Sequence, residues 1–218
     1  PDPANGAVLF EGVQTATLED DDIWEASGLA ASRRNPGVWW THNDSGSLPT
    51  VFAIGADGRA LGAFTLAGIL LAWDWENIAA DDMSIYVGDV GDNGANREHV
   101  QVFWFREPDV NAGQPRATST IDEVEVRTLA QPDHPQNCET LMVDPVTHDL
   151  SLVTKAKDGH SGVYWAAAPF AAPAQNDQDV LTTARMFELD RSRDGFARCQ
   201  FVRVHEHSAP TSQAPPTL

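Results

Sequence analysis

The feature that most constrains this chain is a repeat of about 50 residues, each unit bearing the marks of four short strands. Placing Ser27, Glu76 and Glu139 in register aligns three units. Two positions further on stand Leu29, Ile78 and Leu141, and five positions on stand Ser32, Asp81 and Asp144. Sixteen positions on are Asn43, Asp92 and Lys155, and seventeen on, in the first two units, are Asp44 and Asn93. Apolar and polar marks recur together, so coincidence does not account for them.

Inside each unit the local pattern is that of strands. Segments such as VWWTHND, SIYVGDVGDN and LSLVTK are rich in β-branched and aromatic residues. Turn residues bound them, and Asp57-Gly58 marks a hairpin. No window sustains a helical period for three turns, and the best helix candidate is Asp177 to Arg185. Four short strands per unit, repeated, are the signature of a β-propeller.

The expected fold is therefore an all-β propeller domain over residues 1–207, followed by a proline-rich extended or disordered tail over 208–218. Three four-stranded blades are clear. A partial or composite fourth would combine DRSRDGFARCQFVRVHEH with a latching strand from AVLFEGVQTATL. The alternative is an incomplete ring whose open blade edges pair with another copy, making a homo-oligomer.

Composition narrows the partners. Thirty-two acidic against 14 basic residues give a formal charge of −18, which excludes nucleic acid because phosphate binding needs basic surface. Cations are the natural complement, although acidity also serves solubility. No stretch approaches the length of a membrane span, and the nearest, Leu66 to Ala72, is far too short. A start at Pro1 is compatible with removal of a signal peptide, so an extracellular or periplasmic location is expected. Cys138 and Cys199 allow either one disulfide or two buried thiols.

The candidate site centres on Trp73 to Asn96, WDWENIAADDMSIYVGDVGDNGAN. In a propeller the inner strands line a channel, and loops at one mouth converge. Glu76 and Glu139, with Asn43 or Asp44 and Asp92 or Asn93 from the following turns, would form an oxygen-rich funnel of the kind calcium takes. The competing role for such residues is to cap backbone amides in tight turns. His42, beside Asn43, is the candidate general base, against the plainer role of a strand-end imidazole. Trp73 and Trp75 flank Asp74, and an exposed aromatic face there would stack on a saccharide or another flat small molecule. Lys155 is placed to neutralise Glu139, and His205 with His207 form a weak metal-binding pair. Ser45 lies in no nucleophile-elbow motif and reads as a turn residue.

The motifs EASGLAAS with THNDSG, DWENIA with YVGDVGDN and REP, and ETLMVDPVTHDLSLVTK with GVY resemble a group of bacterial, mostly secreted β-propeller proteins of uncharacterised function. That group carries an E-x-SGL opening, a DWEDIA-like box and a GDxGDN turn. It is similar in layout to SdiA-regulated and phytase-like esterase propellers, and more distantly to calcium-dependent lactonases. The resemblance spans about Glu25 to Tyr164 and marks Glu25, Asn43, Asp44, Asp74, Glu76, Asp92, Asn93 and Glu139 as the shared site. Relatives in the group generally have more blades, and Asn77 stands where they often carry an acid.

Three functions fit this sequence. The first is a non-catalytic, ligand-binding propeller with a calcium site. The second is a calcium-dependent hydrolase of an ester, lactone or phosphoester. The third is a structural subunit assembling through open propeller edges. Fold alone does not separate them.

Overall fold

The computed structural model describes residues 13–113, 115–132, 134–155, 160–168, 179–180, 182–190 and 198–199. Every regular element among them is a strand. The first sheet begins with β1 (Ala26–Ala31), β2 (Val38–Asn43), β3 (Thr50–Gly55) and β4 (Ala60–Leu66), an antiparallel meander. The second is built from β5 (Trp75–Ala80), β6 (Ser84–Asp89), β7 (Val100–Arg106) and β9 (Glu125–Ala130). Between β7 and β9 the chain departs to lay β8 (Ala117–Ile121) parallel to β4, as a fifth strand of the first sheet. The third sheet comprises β10 (Cys138–Val143), β11 (Leu150–Thr154), β12 (His160–Ala166) and β14 (Thr182–Asp190). Two short strands complete the set: β13 (Asp179–Val180) pairs parallel with β9, and β15 (Arg198–Cys199) pairs with β14. None of the three sheets closes into a barrel.

This all-β arrangement follows the sequence repeat, with two departures. The run IDEVEVRTL, whose β-branched residues read as the last strand of the second unit, is not one strand: Ile121 ends β8 in the first sheet, while Glu125 begins β9 in the second. Asp177 to Arg185, the best helix candidate, contributes β13 and β14 instead. Tertiary pairing overrides a weak local helical pattern, because a strand next to an unpaired sheet edge gains a full ladder of backbone hydrogen bonds. Residues 1–12, which include the first half of the latching segment, residues 191–197 and 200–207 of the expected fourth blade, with His205 and His207, and the tail 208–218 lie outside the described residues.

The sheets stack face to face, and their first strands lie side by side, β1 against β5 and β5 against β10. Gly28 allows the first approach. Its φ is +74°, and a Cβ there would come within 2.8 Å of the Ile78 amide nitrogen. Cross-links repeat along the stack: the Ser27 hydroxyl donates to the Glu76 carbonyl at 3.0 Å, and Asn77 Nδ2 donates to the Glu139 carbonyl at 3.2 Å.

Period-two alternation divides the core in two. Trp40, Val51, Trp75, Ile78, Ile85 and Phe103 belong to a cluster between the first and second sheets. Ala79, Tyr86, Val102, Leu141, Leu152 and Tyr164 belong to one between the second and third. Neighbours Ile78 and Ala79 thus face opposite clusters, as a strand buried on both sides requires. Trp75 is fully buried and packs on Phe103 and His42, so truncation to alanine would cost about 3–5 kcal/mol. Cys138 lies in this second cluster as a free thiol, its pKa pushed up to about 12 chiefly by burial.

Candidate metal centre

The repeat position of Glu76 and Glu139 coincides with an irregularity in the ladder. In β5 the pairing passes from Trp75↔Asp89 to Asn77↔Gly88, leaving Glu76 as an extra residue. In β10 it passes from Cys138↔Thr154 to Thr140↔Val153, leaving Glu139 in the same position. Such bulges re-aim a side chain, and here they turn both carboxylates away from the packed faces toward one end of the sheets.

Asp44, just after β2, and Asp74, just before β5, come to that same end. Ligand oxygens of Asp44, Asp74 and Glu76 all lie within 4.8 Å of one another. Backbone hydrogen bonds fix them there: the Trp75 amide donates to the Asp44 carbonyl at 3.0 Å, and the Gly91 amide to the Asp74 carbonyl at 3.1 Å. The Asp74 and Glu76 carboxylates lie over Gly91, where a Cβ would stand 2.7 Å from Glu76 Oε1. Alanine at that position would displace both.

Among the described residues, no protein donor bonds any of the three carboxylates, and Asp44 Oδ1 is buried without a partner. Their electrostatics record that lack. Burial, then the charges of Glu139, Asp44 and Asp74, push the Glu76 pKa up to about 8. Burial likewise raises Asp44, with repulsion from Asp74, Glu25 and Glu139 adding to it. Asp74 is raised by burial, against the pull of Arg97, with Asp89, Glu139 and Asp92 contributing. Three acids held together, with Arg97 and Lys155 only partly offsetting their charge, are a donor set suited to a hard cation.

The other expected ligands are occupied differently. Glu139 faces the cluster but accepts from Lys155 Nζ at 2.7 Å and from Asn137 Nδ2 at 3.0 Å. Asn43 is a buried turn tie: its Oδ1 accepts from the Trp24 and Glu25 amides, and its Nδ2 donates to the Asp22 carbonyl. Asp92 is buried, its Oδ2 accepting from the Arg97 amide at 2.7 Å, while its own amide donates to Asn137 Oδ1. Asn93 is exposed and accepts from Asn137 Nδ2 at 3.2 Å. Glu25 is exposed at the rim and reaches the cluster through its charge on Asp44.

His42 and Trp75 turn inward. His42 is fully buried, its Nδ1 2.9 Å from the Asn43 carbonyl and its ring edge-on to Trp75, with centroids 5.5 Å apart. Burial pushes its pKa down to about 4, so it is neutral at physiological pH and sits in the core. Trp73 and Trp75 do not share an aromatic face, since Trp73 is exposed beside Asp74 and Trp75 is core. Trp24, also exposed, occupies the repeat position of Trp73.

Asp89, whose place in the glycine-punctuated turn with Asp92 and Asn93 suggests an oxygen ligand, belongs instead to the site's support, as do Arg97 and Asn137, which had not stood out as candidates. Arg97 bonds Asp89 Oδ1 at 2.8 Å and the Gly91 carbonyl at 2.7 Å, pinning the loop under the cluster. Asn137 was legible: it precedes Glu139 by two positions, as Asp74 precedes Glu76 and Glu25 precedes Ser27. Compared with known proteins, the chain matches no family model and no curated sequence.

Proposed function

We propose that this chain is a binding protein of the β-propeller type, whose acidic end holds a calcium ion and offers it to an oxygen-bearing ligand. The observation that carries the reading is the group Asp44, Asp74 and Glu76, three carboxylates within 4.8 Å and without a protein donor. Calcium takes 6 to 8 oxygen ligands, so three protein carboxylates leave positions for water or ligand oxygens. Exposed Trp73 and Trp24 border this end and supply flat apolar surface on which a saccharide could stack.

Three antiparallel meanders with adjacent first strands are the arrangement of propeller blades around a channel, which supports the ring reading. Binding is preferred to hydrolysis because His42, the one side chain with a candidate catalytic role, faces the core. Three carboxylates partly offset by Lys155 suit the weaker affinities of extracellular calcium modules, in keeping with a secreted protein of the kind the sequence motifs resemble.

Thermal melting in chelator and in calcium tests this. At calcium a hundredfold above its dissociation constant, linkage gives about 2.7 kcal/mol. For a domain of this size that raises Tm by roughly 5–10 °C. The rise should vanish in Glu76→Gln while the variant stays folded. A melting temperature indifferent to calcium in the parent chain would rule the site out.

A further inference from the structure

The loop after β6 holds one pair of residues whose chemistry the cation cluster does not use. Residues 93–96 are exposed, although Gly91 and Asp92 just before them are buried. A turn bond from the Ala95 amide to the Asp92 carbonyl, at 2.9 Å, closes over Asn93 and Gly94, and Ala95 is held at φ +49°, in the left-handed region. The Gly94 amide, inside that turn, donates to no protein acceptor among the described residues. Asn93 Oδ1 accepts from Asn137 Nδ2 at 3.2 Å, which draws electron density away from the side-chain carbonyl carbon.

Among the described asparagines, Asn93 is the one followed by glycine. A glycine amide is the least hindered nucleophile the backbone offers, because no Cβ shields it and its torsions are free to bring it against the preceding side chain. The other asparagines lack these conditions. Asn35 precedes a proline, which has no amide proton to lose, Asn43 and Asn137 are buried, and Asn77 is paired in β5. Asn96 is exposed, but the Arg97 amide that follows it already donates to Asp92 Oδ2 at 2.7 Å.

We infer that Asn93-Gly94 is a self-modifying site, at which spontaneous deamidation adds a carboxylate to the acidic end of the protein. The Gly94 nitrogen gives up its proton to solvent and attacks Asn93 Cγ, the Cγ–Nδ2 bond breaks, and the side-chain nitrogen leaves as ammonia. A cyclic succinimide remains. Water then adds to one of its two carbonyls and opens the ring: cleavage of the bond between Cγ and the Gly94 nitrogen gives aspartate, and cleavage at the main-chain carbonyl gives iso-aspartate, in which the backbone runs through Cγ. The sum is asparagine plus water to acid plus ammonia, with no redox partner. Asn137 Nδ2 donates both to Asn93 Oδ1 at 3.2 Å and to Glu139 Oε1 at 3.0 Å, so the new charge arises one side chain away from Glu139, which faces the cation cluster. Only the effect on cation affinity rests on the proposed calcium site; the conversion itself does not.

The test is to incubate the folded chain in neutral buffer and follow it by peptide mass mapping and by enzymatic methylation of iso-aspartate. The peptide carrying Asn93 should gain the mass of amide-to-acid conversion and accept methyl groups, while the peptide carrying Asn111, exposed but followed by Ala112, keeps its amide. Gly94→Ala should slow the conversion about tenfold, equivalent to about 1.4 kcal/mol in the barrier. An Asn93 peptide that keeps its amide as long as the Asn111 peptide, conversion confined to the urea-unfolded chain, or an acid product without iso-aspartate would overturn the inference. Calorimetric titration of Asn93→Asp with calcium reads the consequence: affinity should rise about two- to fivefold, the effect of one exposed charge. Conversion in a parent chain that binds no calcium leaves the modification standing and places the failure in the calcium reading. Equal affinity in the variant and a calcium-binding parent overturns the added charge as an influence on the cluster.

Discussion

Glu76 and Asp81 stand at opposite ends of β5, and the two ends of the sheets treat carboxylates in opposite ways. Burial would raise Asp81, but the Met83 and Ser84 amides, the Tyr86 hydroxyl and the His148 ring all bond it and hold its pKa below the usual range. Asp144, at the same repeat position, is lowered by the Thr147 and Val146 amides. Nearby, Glu107 is buried with Oε1 accepting from Trp40 Nε1, Asn35 Nδ2 and the Ser32 hydroxyl, which ties the second sheet to the first. At the Glu76 end, acids face acids, and their pKa values rise. Identical chemistry thus serves folding at one end and leaves unspent negative charge at the other.

Substitutions at the two ends should therefore differ in size and sign. The largest loss is expected from Glu107→Ala, which strands the buried Trp40 and Asn35 donors and the half-buried Ser32 hydroxyl and should cost about 3–5 kcal/mol in urea denaturation. A loss under about 1 kcal/mol would show that Glu107 does not join the sheets. Next comes a matched pair. Asp81→Asn should destabilise by about 1–3 kcal/mol, having lost a charged acceptor, whereas Asp74→Asn should stabilise the calcium-free protein because it relieves repulsion. If both destabilise equally in chelator, the contrast between the ends is false.

The same contrast predicts pH dependence. Glu76 has a folded pKa of about 8 against its ordinary 4.5, so between those values the folded state holds a proton that the unfolded state releases. Its contribution is fully present below about 4.5 and is lost as pH rises through about 8. Chelated protein should therefore melt at lower temperature at pH 8 than at pH 5.5, and calcium should remove most of that difference by replacing the proton. Glu76→Gln should flatten the chelated profile. The smallest effect belongs to Lys155→Met, which removes an exposed ion pair with Glu139: stability should change by less than about 1 kcal/mol, while calcium affinity should rise about two- to fivefold. Calorimetric titration measures the latter, and an unchanged affinity would mean that Lys155 does not offset the cluster.

Much of the fold was legible in the chain. Strand periodicity and turn residues led to an all-β chain, because alternation and turn chemistry are local properties, while each of the three sheets carries a fifth strand beyond the four expected per unit. The path of β8 was not legible: an exposed run of small and β-branched residues does not say which sheet edge it will join. At the site, repeat position marks Glu76 and Glu139, which both sit at ladder bulges, but Asn43 and Asp92 share that periodicity and serve as turn ties. Spacing identifies equivalent positions and does not report which hydrogen bonds each side chain finds.

The acidic stretch around Glu76, its place in the repeat and the charge of −18 were determined by the sequence alone, since they depend on residue order and composition. Two outcomes were decided in the tertiary structure: the convergence of Asp44 and Asp74 on Glu76, and the burial of His42 and Trp75. A bulge turns one residue out of a ladder, and a neighbouring sheet decides whether the next is core or surface. Both depend on partners far away along the chain.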